Sequence, residues 1–354
     1  MILTILIIFF SLIGLIVLHE LGHFVLAKLF RVKVEEFGIF LPPRLVGKRI
    51  GETIYSLNLL PFGAFVKLYG EEGIVKDIRS FSEKPIWQRA LIIVGGVATF
   101  WIVSIILLSI VMGLGVSVEV SDEENGTLVD PKVQVLAVTP DSPAEIAGIK
   151  IGDTLKQFNK VKEVREFSEK YVGQEVTLII GRGKEVFEVN LTPRLDAPED
   201  KGAIGILPVR TAIKSYPWYQ APIKGIEATI ASTRTIIVTL AEVLGGFFAG
   251  KGLPPGVQLV GPVGIGSLMI QFAELGINYY LHFIAVISIY LAIFNILPIP
   301  ALDGGKLIFL GIEAIRKKPV SPKVEQKVTA VFFTLLIILI TWVTVNDIIR
   351  LFLK

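Results

Sequence analysis

Two of the three histidines in this 354-residue chain fall in one pentapeptide, His19-Glu20-Leu21-Gly22-His23. On a helix, residues four apart project from one face, a turn apart. Both imidazoles can then bind one zinc ion while Glu20, beside them, serves as base for a zinc-bound water. The preceding residues 2–18 carry no charge. Three ionisable side chains in an apolar run are costly and uncommon without a role, which favours a metal site over surface decoration. A hydrolytic site in such a helix implies cleavage of a bond in or near a bilayer.

A hydrolytic zinc site needs a third protein ligand and keeps its fourth position open. Asp303 is the leading candidate, in the stretch Asn295-Ile296-Leu297-Pro298-Ile299-Pro300-Ala301-Leu302-Asp303-Gly304-Gly305. Two prolines and two glycines break the helix there, which a membrane tolerates only where the backbone lines a protein cavity or site. The alternative is that Asp303 merely caps the next helix. Glu242 and Asp347 are weaker candidates near helix ends, and His282, opening an apolar segment, reads as interfacial.

Four segments are long and apolar enough to span a membrane, about 2–27, 91–116, 279–301 and 328–349. A fifth, 223–249, carries Lys224, Glu227, Arg234 and Glu242 and is expected to be an amphipathic helix at the surface. Residues 28–90 hold 11 Lys/Arg and residues 304–327 hold six, whereas none lies between Arg89 and Lys132. The positive-inside tendency places 28–90 and 304–327 in the cytoplasm and both termini outside, with Arg350 and Lys354 pulling mildly the other way. At about 1.5 Å per helical residue, His19 lies some 27 Å from the outer N-terminus. A third span entering near Tyr279 from outside brings Asp303 to the same depth.

Between the first two spans, 34–70 reads as a β region, with strands at Val34–Phe40, Thr53–Asn58 and Ala64–Tyr69, apolar enough to dip into the membrane surface. Residues 117–222 are charged and turn-rich. Strands are expected at Lys132–Val138, Glu175–Ile180 and Lys184–Thr192, with helices at Ser142–Ala147 and Glu163–Tyr171, making a small α+β module outside the membrane.

Composition agrees: 52% of residues are hydrophobic and the mean hydropathy is +0.67, well into the membrane-protein range. The net charge of +3 gives no sign of a nucleic-acid partner, and the absence of cysteine removes disulfides, thiolate catalysis and Cys-type zinc sites. The N-terminal stretch lacks a basic n-region and cleavage site, so it is expected to be a retained helix.

The motifs together resemble the site-2 protease family, M50-type intramembrane zinc metalloproteases of the bacterial regulator-of-sigma-E kind. The resemblance runs nearly end to end: His19–His23; Leu59-Leu60-Pro61-Phe62-Gly63-Ala64-Phe65-Val66-Lys67 with Gly70-Glu71; Gly261-Pro262-Val263-Gly264-Ile265; and Asn295–Gly304. It implies one Zn2+ per chain held by His19, His23 and Asp303, with Glu20 as catalytic base. It also implies substrate contacts at Asn295, Pro298 and Gly63, and a single PDZ domain at 128–195. The family's Gly-Pro-x-x-Asn in the second span is replaced by Gly95-Gly96-Val97-Ala98-Thr99, which removes the Asn amide.

The expected fold is thus a polytopic α-helical membrane protein. It has four transmembrane helices, a membrane-associated β region and one extracytoplasmic α+β PDZ domain. Its parts are 1–116 with the β region at 34–70; the PDZ domain at 128–195; an extracytoplasmic amphipathic helix and loop at 216–278; and the last two spans at 279–354. The expected function is intramembrane proteolysis of single-pass membrane proteins, anti-sigma factors or remnant signal peptides, by a multi-pass protein of the inner (plasma) membrane. The active site would lie toward the cytoplasm. The β region offers a strand edge to an unwound substrate, and the PDZ domain could either filter bulky substrates or capture new C-termini. The partners implied are transmembrane substrates and the lipid bilayer. The rivals are a catalytically silent membrane PDZ receptor with structural zinc, which would not need Glu20, and a zinc carrier.

Overall fold

The protein is described by a computed structural model covering residues 2–71, 73–123, 129–183, 185–195, 202–250 and 259–352. The chain divides into two compact units. The larger takes residues 1–108, 225–270 and 283–354, and the smaller takes 109–224 and 271–282.

Helix α1 (Ile2–Leu29) is apolar along its length and carries the pentapeptide in its second half. It ends where Arg31 takes a left-handed conformation and the chain enters a sheet. That sheet is made of two long strands, β1 (Val34–Ile50) and β2 (Thr53–Leu68). Both bend, so that Val34–Ile39 pair with Ala64–Leu68 on one side and, from Glu36 on, with Ile54–Leu57 on the other, while Arg44–Ile50 pair with Thr53–Asn58. The expected strands are present, and Arg44–Ile50 is an additional row. Residues 64–68 therefore form an edge, with no described strand on their outer side.

Helix α2 (Ile86–Leu114) follows Pro85, a residue suited to a helix start. In the smaller unit, β3 (Val116–Glu119), β4 (Val129–Val138), α3 (Pro143–Ile146), β5 (Thr154–Leu155), α4 (Val161–Lys170), β6 (Val176–Arg182), β7 (Glu185–Leu191) and β8 (Ile206–Lys214) form a sheet in the order β3-β8-β4-β5-β6-β7. Alternating residues such as Val133, Val135, Leu178 and Ile180 face one core. The sheet extends past the expected 128–195 segment, since β8 pairs with β4 through Ile206–Ile213 and with β3. Leu128 and Lys184, at expected boundaries, lie outside the described residues.

Helix α5 (Ala221–Phe248) departs most from expectation. It is continuous over 28 residues and, by length and composition, could cross a membrane, as could α1, α2, α7 (Ile277–Ile296) and α9 (Pro322–Phe352). The described residues thus hold five such helices rather than the expected four. A stripe of α5 packs inside the larger unit: Trp101 Nε1 donates to Thr233 Oγ1 at 3.2 Å, Ser104 and Thr229 hydroxyls lie 3.5 Å apart, and Ile236 packs with Ile289 and Ile293. These pairs run α5 antiparallel to α2. Helix α7 also opposes α2, with Ser288 Oγ bonded to the Phe100 carbonyl and Asn278 Nδ2 to the Gly115 carbonyl. The charges that made 223–249 read as interfacial lie away from this stripe: Arg234 and Glu242 are exposed.

Helix α6 (Pro262–Leu275), not anticipated, is tied to α9 by Asp347. This carboxylate, 4% exposed, accepts the Gly261 and Gly264 N–H groups at 2.9 and 2.8 Å. Asp347 is therefore a helix cap, not a metal ligand. Replacing it by leucine strips two buried donors of their acceptor, at about 1–3 kcal/mol each. Asp347→Leu should lower the thermal unfolding midpoint in detergent by several degrees, and Asp347→Asn, which keeps one oxygen, by less.

Candidate active site

The second half of α1 places His19 and His23 on one face, and their Nε2 atoms stand 3.2 Å apart. Helix α7 stops at Ile296 because Pro298 and Pro300 cannot continue it. A turn closed by Ile299 N–H to the Leu297 carbonyl and Leu302 N–H to the Ile299 carbonyl then opens α8 (Asp303–Arg316). Asp303, its first residue, brings Oδ2 to 3.3 Å from both histidine Nε2 atoms.

Among the described residues, His19, His23 and Asp303 are the one group whose ligand atoms all lie within 4.8 Å of one another. His282 and Glu242 are not part of it. Ligand atoms about 2.0–2.1 Å from a tetrahedral ion stand about 3.3 Å from one another, which is the spacing these three show. Asp303 Oδ2 and His19 Nδ1 are buried without a hydrogen-bond partner, and an orphaned carboxylate oxygen facing two imidazole nitrogens is an arrangement a cation would satisfy. The donor set fits zinc: two imidazoles, one carboxylate and no further protein ligand.

The imidazoles are held from behind. His23 Nδ1 donates to the Ile92 carbonyl on α2 at 2.9 Å, which fixes the tautomer and leaves the Nε2 lone pair for a metal. The His19 ring stacks on Phe100, with centroids 4.7 Å apart and planes 13° from parallel. Helices α1 and α2 can approach this closely because Gly22 meets the Gly95 carbonyl and Gly96 meets the His23 ring. A Cβ on Gly96 would lie 2.2 Å from His23 Nε2. The sequence reading left Gly96 out; the signal available was the Gly95-Gly96 pair in an otherwise bulky span.

Glu20 Oε2 accepts the Val66 N–H of the sheet edge at 3.0 Å, a backbone contact that no side-chain pattern reveals. A cavity of about 490 Å³ includes Glu20, His23 and Asp303 in its lining, together with Val66 and Leu68 of the same edge. Two ion pairs also line it. Arg89 of α2 makes a two-pronged pair with Glu313 of α8, at 2.9 and 2.5 Å. Lys306 Nζ meets Glu71 Oε1 at 2.5 Å, and Glu71 holds the Lys306 ammonium above the ordinary lysine range against the cost of burial.

Of the expected substrate contacts, none lies in this lining. Asn295 Nδ2 turns back to the Leu291 carbonyl of its own helix at 2.8 Å. Pro298 is exposed in the turn after α7. Gly63 adopts φ +81° at the start of the edge row, with only Leu41 within 4 Å of where a Cβ would be. Phe65 and Val66, two and three residues on, do line the cavity.

The family model described as Peptidase family M50 matches residues 7–339. The chain is 34% identical over 348 residues to a Clostridium perfringens protein provisionally named a zinc metalloprotease, covering 95% of this chain and 96% of that one. It is 28% identical over 436 residues to the regulator of sigma-W protease RasP of Bacillus subtilis, with 96% of each chain covered. It is 27% identical over 424 residues to the zinc metalloprotease RasP of Geobacillus kaustophilus, again with 96% of each covered. The chain belongs to peptidase family M50.

The Gly96 contact yields a prediction independent of catalysis. Gly96→Ala must push the His23 ring off its line to the Ile92 carbonyl. Zinc affinity should fall about 10–100-fold, the range for lost outer support of a ligand. Competition with a chelator of known affinity measures this, and affinity within twofold of wild type would contradict the packing described.

Proposed function

We propose that this membrane zinc metalloprotease cuts single-pass membrane proteins within the bilayer, with His19, His23 and Asp303 holding the zinc and Glu20 as base. The observation that carries this reading is the convergence of Asp303 on the two histidines of an apolar helix, beside a carboxylate and an open strand edge. Bound zinc supplies a Lewis acid for the scissile carbonyl and for the attacking water.

The chain's own residues do the rest. Glu20 takes the proton of the attacking water and passes it to the leaving nitrogen. Its link to Val66 N–H engages one carboxylate oxygen and leaves the other to act. A transmembrane helix hides its peptide bonds in its own hydrogen bonding, so the substrate must unwind, and the 64–68 edge offers it replacement partners by strand addition. Asn295 keeps its expected role at the reacting carbonyl in this reading only if its amide leaves Leu291 when substrate arrives. The substrate class is that of anti-sigma factors and remnant signal peptides, in keeping with the name of the Bacillus relative.

The orientation proposed puts both termini and the smaller unit outside the cell and 28–90 with 304–327 in the cytoplasm. The smaller unit acts there as a PDZ domain. Helices α5 and α7 both run against α2, so the two start from the same side. The alternative function, a silent receptor with structural zinc, is disfavoured by Glu20, since a structural site has no use for a base.

Glu20→Gln should reduce cleavage of a reconstituted single-pass substrate by at least about 10³-fold, the scale of a lost general base with its positioning, and keep one zinc per chain. Asp303→Asn should lose both activity and metal. Cleavage by Glu20→Gln near the wild-type rate would end this assignment. A cysteine at Lys317 should react with an impermeant label only from the cytoplasmic side; labelling from outside would overturn the orientation.

A further inference from the structure

Strand residues 64–68 are held to the active site at two points. Near the middle, Val66 N–H is bound by Glu20 of α1. Past the end of β2, Glu71 is bound by Lys306, one turn beyond Asp303 on α8. Among the described residues this is the one ion pair between the 64–71 segment and α8. Between the two points the contact is apolar: Leu68 and Leu310 share a core cluster, with Val66 and Leu307 packed against it. Apolar contacts of this kind resist separation but discriminate poorly against sliding, because they are non-directional.

The geometry points to Lys306 and Glu71 as positioning residues that set the register in which a substrate strand meets the metal site. This rests on the proposed intramembrane cleavage. The connections form a closed ring: Asp303 through α8 to Lys306, across to Glu71, back along β2 to Val66, across to Glu20, and along α1 to His19 and His23. The substrate pairs with the edge in that ring, so whatever fixes the edge relative to Asp303 fixes which carbonyl arrives at the site. Successive carbonyls of an extended strand face opposite ways. A loosened edge can therefore present a wrong carbonyl only in steps of two residues.

The test uses the full-length protein in liposomes with a single-pass substrate, reading the cut by mass spectrometry of both products and zinc by elemental analysis. Glu71→Gln and Lys306→Met should each keep one zinc per chain. Each should lose about tenfold in kcat/KM, within the cost of a misplacement of about 1 Å, and each should add a second cut two residues from the first. The exchanged pair, E71K with K306E, should restore a single cut. If both single variants cut at one bond only, or lose zinc, the pair merely supports α8 and the inference fails. Glu71→Gln is nearly isosteric and guards against a folding defect in the lysine variant. Wild type and Glu20→Gln run alongside: failure of wild type to cut would overturn the protease reading itself, and a single unshifted cut in the variants would overturn only the register role.

Discussion

Lipid cannot solvate a carboxylate, and the larger unit depends on how it meets that constraint at Asp303. Two imidazole nitrogens 3.2 Å apart and a carboxylate oxygen 3.3 Å from each converge from helices far apart in sequence. An ionised group buried without a partner costs several kcal/mol, and Asp303 Oδ2 has no hydrogen bond to offset it. A divalent cation held by all three, as proposed, would supply that partner at once, and its binding would then be coupled to the packing equilibrium of α8 against α1, because the three side chains meet only when the helices are assembled. The Arg89–Glu313 pair and the Gly22–Gly95 contact work on the same side of that equilibrium, bringing α2 against both ligand-bearing helices.

The second constraint is that the base must face both water and substrate. Glu20 could have been left to lipid; instead it is bound by a strand amide at the open edge of a sheet. Under the proposed function this joins the base to the element that would offer backbone partners to an unwound substrate. Proximity of the scissile bond to the base would then follow from strand pairing, a directional interaction that works in an apolar setting because its donors and acceptors satisfy each other. The cavity lined by Val66, Leu68 and the two ion pairs gives that pairing room.

How much of this the sequence displayed varies with the kind of interaction. The histidine spacing, the Pro-broken segment before Asp303 and the apolar runs are periodic or compositional signals, and they located the three side chains that converge and most of the long helices. The β region was legible from its turn residues, although Arg44–Ile50 was obscured by Gly47, Lys48 and Arg49. Helix α5 was expected at the surface because charge was counted along its length, whereas its packing depends on a stripe through Thr229, Thr233 and Ile236. Asp347 looked like a candidate ligand because a buried carboxylate and a helix cap have the same sequence signature. The contact of Glu20 with Val66 has no sequence signature, because it is made by a backbone N–H carried by nearly every residue type. Lys306 and Glu71 are distant in sequence and form a pair only after folding.

The smaller unit obeys a different rule. Its core is a sheet face of Val133, Val135, Leu178 and Ile180 with Leu155 between, and its one fully buried carboxylate among the described residues, Asp153, is satisfied by protein donors. Arg182 donates to both Asp153 oxygens at 2.7 Å, and the Lys150 N–H donates at 2.8 Å. Asp153 and Asp303 thus meet burial in opposite ways. Asp153 is compensated by a guanidinium and a backbone amide, a pairing that closes the group to further chemistry. Asp303 Oδ2 faces two imidazole nitrogens at 3.3 Å, an arrangement that a shared cation could close. Full local satisfaction makes a rigid structural element, and incomplete satisfaction makes a site. The orphaned oxygen of Asp303 is for that reason a more telling mark of function than its burial.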